Sequence, residues 1–151
     1  SKRLTAEARE RLFGQLSDCA LAISVASLSA TAIDRINILR ASLEAMRRAL
    51  ARLPLAPALA LADGRDVPPG LPCPARAVVK GDRISQSIAA ASIVAKVTRD
   101  RMMTRTCGVH PGYGFSSHMG YATEVHRTAI LARGRLTRIH RMTFGMLRED
   151  E

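Results

Sequence analysis

Apolar positions along this chain recur in two rhythms, one helical and one extended. In "TAEARERLFGQL", Ala6, Leu12, Phe13 and Leu16 are set among charges, the pattern of an amphipathic helix. "CALAISVAS" follows with few polar residues and carries Ile23 and Val25, which predicts a short buried strand. Ser29 is placed to cap the next helix, "ATAIDRINILRASLEAMRRALARL". There Ile33, Ile36, Leu39, Leu43, Met46 and Leu50 return at three- and four-residue steps, and Pro54 and Pro57 end the run.

"ALALAD" predicts a second strand that stops at Asp63-Gly64, "RDVPPGLPCPA" a Pro-rich loop, and "ARAVVK" a third strand. Residues 83–105 predict one long helix with Ile84, Ile88, Ile93 and Val97 on or near one face. "GVHPGYGFSSHMG" is too interrupted by glycine for regular structure, and a helix resumes near Thr123 and ends at Gly134. Strands alternating with helices imply an α/β sheet covered by helices. With no internal repeat, low-complexity segment or visible boundary, residues 1–151 read as one domain.

Composition narrows the class. A chain of 151 residues that is 47% hydrophobic can bury a real core and is globular rather than disordered. Its apolar runs are far shorter than the roughly 20 residues that span a bilayer. No secretion-signal pattern opens the chain, which begins at Ser1 without an initiating Met. Cys19, Cys73 and Cys107 are odd in number and lack metal-binding spacing, so neither a disulfide framework nor a zinc site is suggested. A reducing, cytosolic setting fits this usage best. The net charge of +10 favours a polyanionic partner, nucleic acid first. The competing explanation is an Arg- and Ala-rich bias of GC-rich coding DNA, since 20 of the 23 basic residues are Arg.

Two acids carry the candidate chemistry. Asp63 ends a strand, where open α/β sheets bind ligands, although Asp-Gly is also ordinary turn chemistry. Asp100 stands between Arg99 and Arg101 near the end of the long helix. Brought together, the two carboxylates would bind a hard divalent cation such as magnesium or manganese. Alone, Asp100 also reads as a solvated salt-bridge partner.

"LADG", "KGDRISQSIAAASIVAKVTRDR", "HPGYGFSSHMGYATEVH" and "IHRMTF" follow one another here, preceded by "SKRLTAEARERL" and "AIDRINILRASLEAMRRAL". In content, order and spacing these blocks resemble bacterial ribonuclease HII from Ser1 to about Leu147. The resemblance implies an RNase H-like mixed sheet flanked by helices. It also implies an endonuclease that cuts RNA–DNA hybrids, or 5' of a ribonucleotide embedded in duplex DNA, using Mn2+ or Mg2+. By resemblance, Asp63 and Asp100 are the third and fourth active-site carboxylates, and Tyr121 packs on the deoxyribose beside the ribonucleotide. Lys80 and Ser85 of the "KGDxxS" block meet backbone phosphate, or else only shape the turn. Lys2 and His118 join them as nucleic-acid contacts, and His118 and His140 brace loops. Tyr113 is expected to be loop packing, and His110 and His126 surface residues. Met119 departs from the family, where lysine is usual, and this should weaken a phosphate contact.

The larger departure is at the start. The family's "DEAGRG" strand, which carries its first two metal-binding carboxylates, has no counterpart, and Ser1 and Lys2 resemble the end of its "NDSKKL" block. The expectation is therefore an N-terminally incomplete ribonuclease HII domain, with N-terminal strands missing, monomeric and inactive alone. Glu7 and Glu10 do not replace the absent acids, because both lie in the first amphipathic helix. The alternatives are a non-catalytic nucleic-acid-binding remnant of the same fold, or a generic α/β domain whose charge reflects codon bias.

Overall fold

The computed structural model describes residues 4–144. The first helix, α1 (Ala6–Cys19), starts where the Thr5 hydroxyl accepts a hydrogen bond from the Ala8 N–H. α2 (Ala30–Ala51) starts the same way at Ser29, as the sequence predicts. It is broken inside by Asn37, whose φ of 64° and ψ of 168° are not helical. The Asn37 side chain then caps a fresh start by accepting from the Arg40 N–H at 3.0 Å. This break resets the helical phase, so Leu39 is 56% exposed while Ile33, Ile36, Leu43, Met46 and Leu50 are half-buried.

β1 (Ala60–Asp63) and β2 (Ala75–Val78) pair in parallel, Ala60 against Ala75 and Asp63 against Val78. Parallel neighbours need a long connection, and here the Pro-rich stretch 64–74 supplies it without a helix. Among the described residues this pair is the whole sheet. The expected strand at "CALAISVAS" is not one. Residues 20–29 have no regular structure, and Leu21, Ile23 and Val25 are exposed in strand-like alternation, yet no described strand pairs with them. Alternation alone does not make a strand; a ladder partner does.

The long helix predicted over 83–105 is two helices. α3 (Gly81–Ile84) stops at Ser85, whose φ of −120° and ψ of 121° are extended, and α4 (Gln86–Val109) begins directly after it. The break turns Ile84 outward to 74% exposure, whereas Ile88, Ile93 and Val97 stay buried. α4 is the central element and packs against α1, α3, β1 and the single turn α5 (Phe115–His118). That turn is a small helix inside the loop expected to be irregular. α6 (Glu124–Arg133) runs from the Thr123 cap to Gly134, within the predicted bounds. A hydrophobic core joins Tyr113, Phe115 and Ile130 with Met103, Leu136 and Ile139. No described helix is long and apolar enough to cross a membrane.

Candidate active site

Asp63 closes β1, and its Oδ1 accepts a hydrogen bond from the Gly81 N–H at 2.8 Å. The strand-end acid is thereby tied to the turn that follows the neighbouring strand. That turn is specified locally. Lys80 is left-handed at φ 56°, and a Cβ on Gly81 would lie 2.4 Å from Ile88 Cδ1 and 3.3 Å from Val78 Cβ. Only glycine lets this amide come in against Ile88 and Val78 and reach the acid. Exposed Lys80 is free of helix-capping duty, while the half-buried Ser85 hydroxyl caps α4 by accepting from the Ile88 N–H at 3.4 Å.

Asp100 lies on α4 with its side chain 18% exposed. Neither flanking arginine pairs with it. Arg99 donates to the Met119 carbonyl at 3.2 Å. Arg101 forks onto Glu10 of α1 and stacks over Phe13, 4.6 Å from the ring centre. The hydrogen bonds that Arg101 donates to the Glu10 carboxylate raise its pKa above the ordinary value. Adjacent helix residues project to different sides, and the acid between them takes other partners. Lys96, one turn earlier, donates to Asp100 Oδ1 at 2.7 Å. Arg9 of α1 places Nη2 at 3.7 Å from Oδ2. The sequence reading missed both. Lys96 was legible as an i,i+4 partner; Arg9 had no local signal, because it arrives through the packing of α1 on α4.

Lys96 also reaches Tyr121, its Nζ lying 5.4 Å from the ring centre, within cation–π range. Tyr121 is 57% exposed, so its ring is available to a ligand. Asp100, Lys96 and Tyr121 thus form a contiguous row, while Asp63 closes β1, a strand that packs on α4. A hollow of about 350 Å³ opens beside Asp100 between Arg9, Glu10, Thr104, Arg105 and Met119; Asp63 is not part of its wall. Lys2 lies outside the described residues.

The histidines behave differently from the acids. His118, expected to touch nucleic acid and to brace its loop, is buried and hydrogen-bonded within that loop. It is 7% exposed, Nδ1 accepts from the Gly120 N–H at 3.2 Å, and Nε2 meets the Tyr113 carbonyl at 2.8 Å. His140 is a brace as well, its Nδ1 accepting from the Leu136 N–H at 2.8 Å. Its Nε2 must then carry the proton, which it donates to His126 Nε2 at 3.1 Å. His126 in turn donates from Nδ1 to the Tyr121 carbonyl at 2.9 Å. The surface position expected for His126 is therefore corrected: it is 5% exposed, one helical turn before buried Ile130. Burial pushes the His140 pKa down to about 4 and lowers that of His126 too. Tyr113 packs as expected, stacked on Phe115 and donating to the Gly134 carbonyl at 2.9 Å.

Carboxylate oxygens are what a hard divalent ion takes, and Asp100 already holds positive charge against itself. Asp63 and Asp100 fit such an ion in kind. In number the set is incomplete, since no group of three His, Cys, Asp or Glu among the described residues gathers to hold one.

The profile of the ribonuclease HII family matches residues 1–146. This chain belongs to that family. It is 70% identical over 145 residues to the ribonuclease HII of Chelativorans sp. (strain BNC1), covering 96% of this chain and 57% of the relative. To the ribonuclease HII of Mesorhizobium japonicum it is 62% identical, covering 98% of this chain and 64% of the relative. The chain thus spans less than two thirds of the length of these two relatives. The crystal structure of ribonuclease H2 from Pyrococcus horikoshii OT3 superposes with a TM-score of 0.78 at 27% identity, over 96% of this chain and 75% of that one. The α/β, RNase H-like fold expected from the sequence is therefore the fold of this ribonuclease HII chain.

Proposed function

We propose that this chain is part of an endonuclease that hydrolyses RNA–DNA hybrids and cuts 5' of single ribonucleotides in duplex DNA. The observation that carries the reading is the row Asp100–Lys96–Tyr121. It puts an acid able to hold a divalent ion next to an exposed ring able to stack on a sugar or base. Asp63 and Asp100 would contribute to holding Mn2+ or Mg2+, and such an ion would supply Lewis-acid polarisation of the phosphate and a more acidic water. Tyr121 discriminates by packing on the sugar that lacks a 2'-hydroxyl, and its carbonyl is steadied by His126. Lys80 offers its ammonium to backbone phosphate, with Ser85 and Lys2 as further contacts, which gives affinity without sequence preference. The protein works as a cytoplasmic monomer.

A second reading is supported by the incomplete donor set: a domain that binds nucleic acid without cutting it. Both are tested by single-turnover cleavage of a duplex with one ribonucleotide, in Mn2+, comparing these 151 residues with a chain extended by a "DEAGRG" strand. The expected outcome is cleavage by the extended chain only, lost in Asp63→Asn, with at least a hundredfold fall corresponding to about 3 kcal/mol of barrier. Robust cutting by the 151 residues overturns the expected inactivity. Duplex binding with no cutting by either chain favours the binding domain. In the extended chain, Tyr121→Ala should reduce cutting at a single ribonucleotide far more than it reduces salt-sensitive duplex binding. Equal losses would make Tyr121 a packing residue.

A further inference from the structure

We infer that His126 is a positioning residue for Tyr121, presenting its ring to nucleic acid by holding the Tyr121 carbonyl from the buried side. The role rests on the reading of Tyr121 given above and deepens it, because it names what aims the ring. Tyr121 is exposed, yet both polar groups of its main chain are taken up. Its N–H donates to the His118 carbonyl at 2.9 Å. Its carbonyl accepts from His126 Nδ1 at 2.9 Å and from the Thr123 N–H at 2.8 Å. Met119 and Gly120, just before it, are left-handed, with φ of 50° and 79°. Arg99 of α4 donates to the Met119 carbonyl and so ties this turn to the central helix. A backbone held on every side fixes the direction in which the Tyr121 side chain leaves it. A ring aimed before contact loses less freedom on binding.

His126 can give this support because its own ring is locked. Its plane stacks on His118 with centres 4.3 Å apart, and Phe115 stands edge-on to it at 5.4 Å. The proton positions are decided as well. The Leu136 N–H occupies His140 Nδ1, so His140 Nε2 carries a proton and gives it to His126 Nε2. Only the His126 tautomer with its proton on Nδ1 accepts that bond, and this is the tautomer that donates to a carbonyl. Burial lowers the pKa of both rings, which keeps the pair neutral and the tautomer defined. The support therefore runs from Leu136 through His140 and His126 to the Tyr121 main chain, and the exposed ring is its outer end.

The test uses the 151-residue chain at neutral pH. Nitrogen NMR of the imidazoles should find the His126 proton on Nδ1. A proton on Nε2 instead overturns the inference, because Nδ1 cannot then donate to Tyr121. Two variants separate positioning from packing. His126→Leu removes the donor, whereas His126→Asn places an amide nitrogen two bonds from Cβ, where Nδ1 stood. Both deprive His140 of its acceptor, so a purely structural His126 makes the two alike. The carbonyl-carbon and ring signals of Tyr121 should shift in His126→Leu and return in His126→Asn. The Tyr113 carbonyl, held by His118, should stay in place in both. Equal Tyr121 signals in the two variants overturn the inference. The functional readout is the ratio of affinities for a DNA duplex with one ribonucleotide and for the all-DNA duplex. It should fall roughly two- to tenfold in His126→Leu, the worth of one hydrogen bond, and recover in His126→Asn. If Tyr121→Ala keeps the ratio of the unaltered chain, the recognition reading of Tyr121 fails, and the inference with it. If Tyr121→Ala lowers the ratio while His126→Leu does not, only the role of His126 falls.

Discussion

Two regions of this molecule solve the burial of polar groups in opposite ways. Between residues 113 and 140, three buried histidines take their hydrogen bonds from the same stretch of chain, His118 from Tyr113 and Gly120, His140 from Leu136, and His126 from Tyr121 and His140. Phe115, fully buried, stands against all three rings. Around Asp63 and Asp100 the partners are scattered: Gly81 follows the neighbouring strand, Lys96 lies one turn earlier on α4, Arg9 comes from α1, and apolar Leu59 and Leu61 remain 45% and 38% exposed. The first region is a closed frame that holds the Tyr121 main chain. The second is open, its acids held by one backbone amide and by partly exposed cations.

The largest break in that comparison should come from Phe115→Ala. Removing a fully buried ring from the frame should cost about 3–5 kcal/mol. Urea unfolding followed by circular dichroism measures it, and a loss near zero would mean that the histidine cluster is not a core. Gly81→Ala attacks the open region at its tightest point. The added methyl meets Ile88, which is buried, so roughly 1–3 kcal/mol is expected, together with displacement of the amide that binds Asp63.

Acid should separate the regions next. His140 and His126 are held neutral in the fold by burial, with pKa values below the ordinary 6.5, near 4 for His140. A depressed histidine pKa means that the unfolded chain binds protons first. Stability is thus fully present above about 6.5 and falls as pH drops through that value toward about 4. A loss on the order of 1–2 kcal/mol between these limits is expected, partly screened by solvent. A His140→Gln variant should flatten the profile; an unchanged slope would assign the pH dependence elsewhere. The smallest contrast pairs the two tyrosines. Tyr113→Phe loses a hydrogen bond to the Gly134 carbonyl and should cost about 1 kcal/mol. Tyr121→Phe, on an exposed ring, should stay within about 0.5 kcal/mol. Similar values for both would mean that Tyr121 is packed rather than presented.

Local rules were legible in the sequence wherever one residue acts on its near neighbours. Thr123 and Gly134 bound α6, Ser29 caps α2, and Asp63 ends a strand, because capping and turn chemistry are settled within a few residues. The family blocks marked Asp63, Asp100 and Tyr121 as site residues by resemblance; of these, the structure links Asp100 and Tyr121 through Lys96. Tertiary structure decided what depends on distant partners. It left residues 20–29 without a strand partner, turned Ile84 outward at the Ser85 break, and buried His126 against His140. It also answered the question of Asp100. Composition puts arginine on either side of that acid, but the helix sends both away and brings Lys96 and Arg9 instead. Helical spacing made Lys96 legible one turn from Asp100, whereas only the packing of α1 on α4 brought Arg9, because a partner on another element is chosen by distance in space and not along the chain.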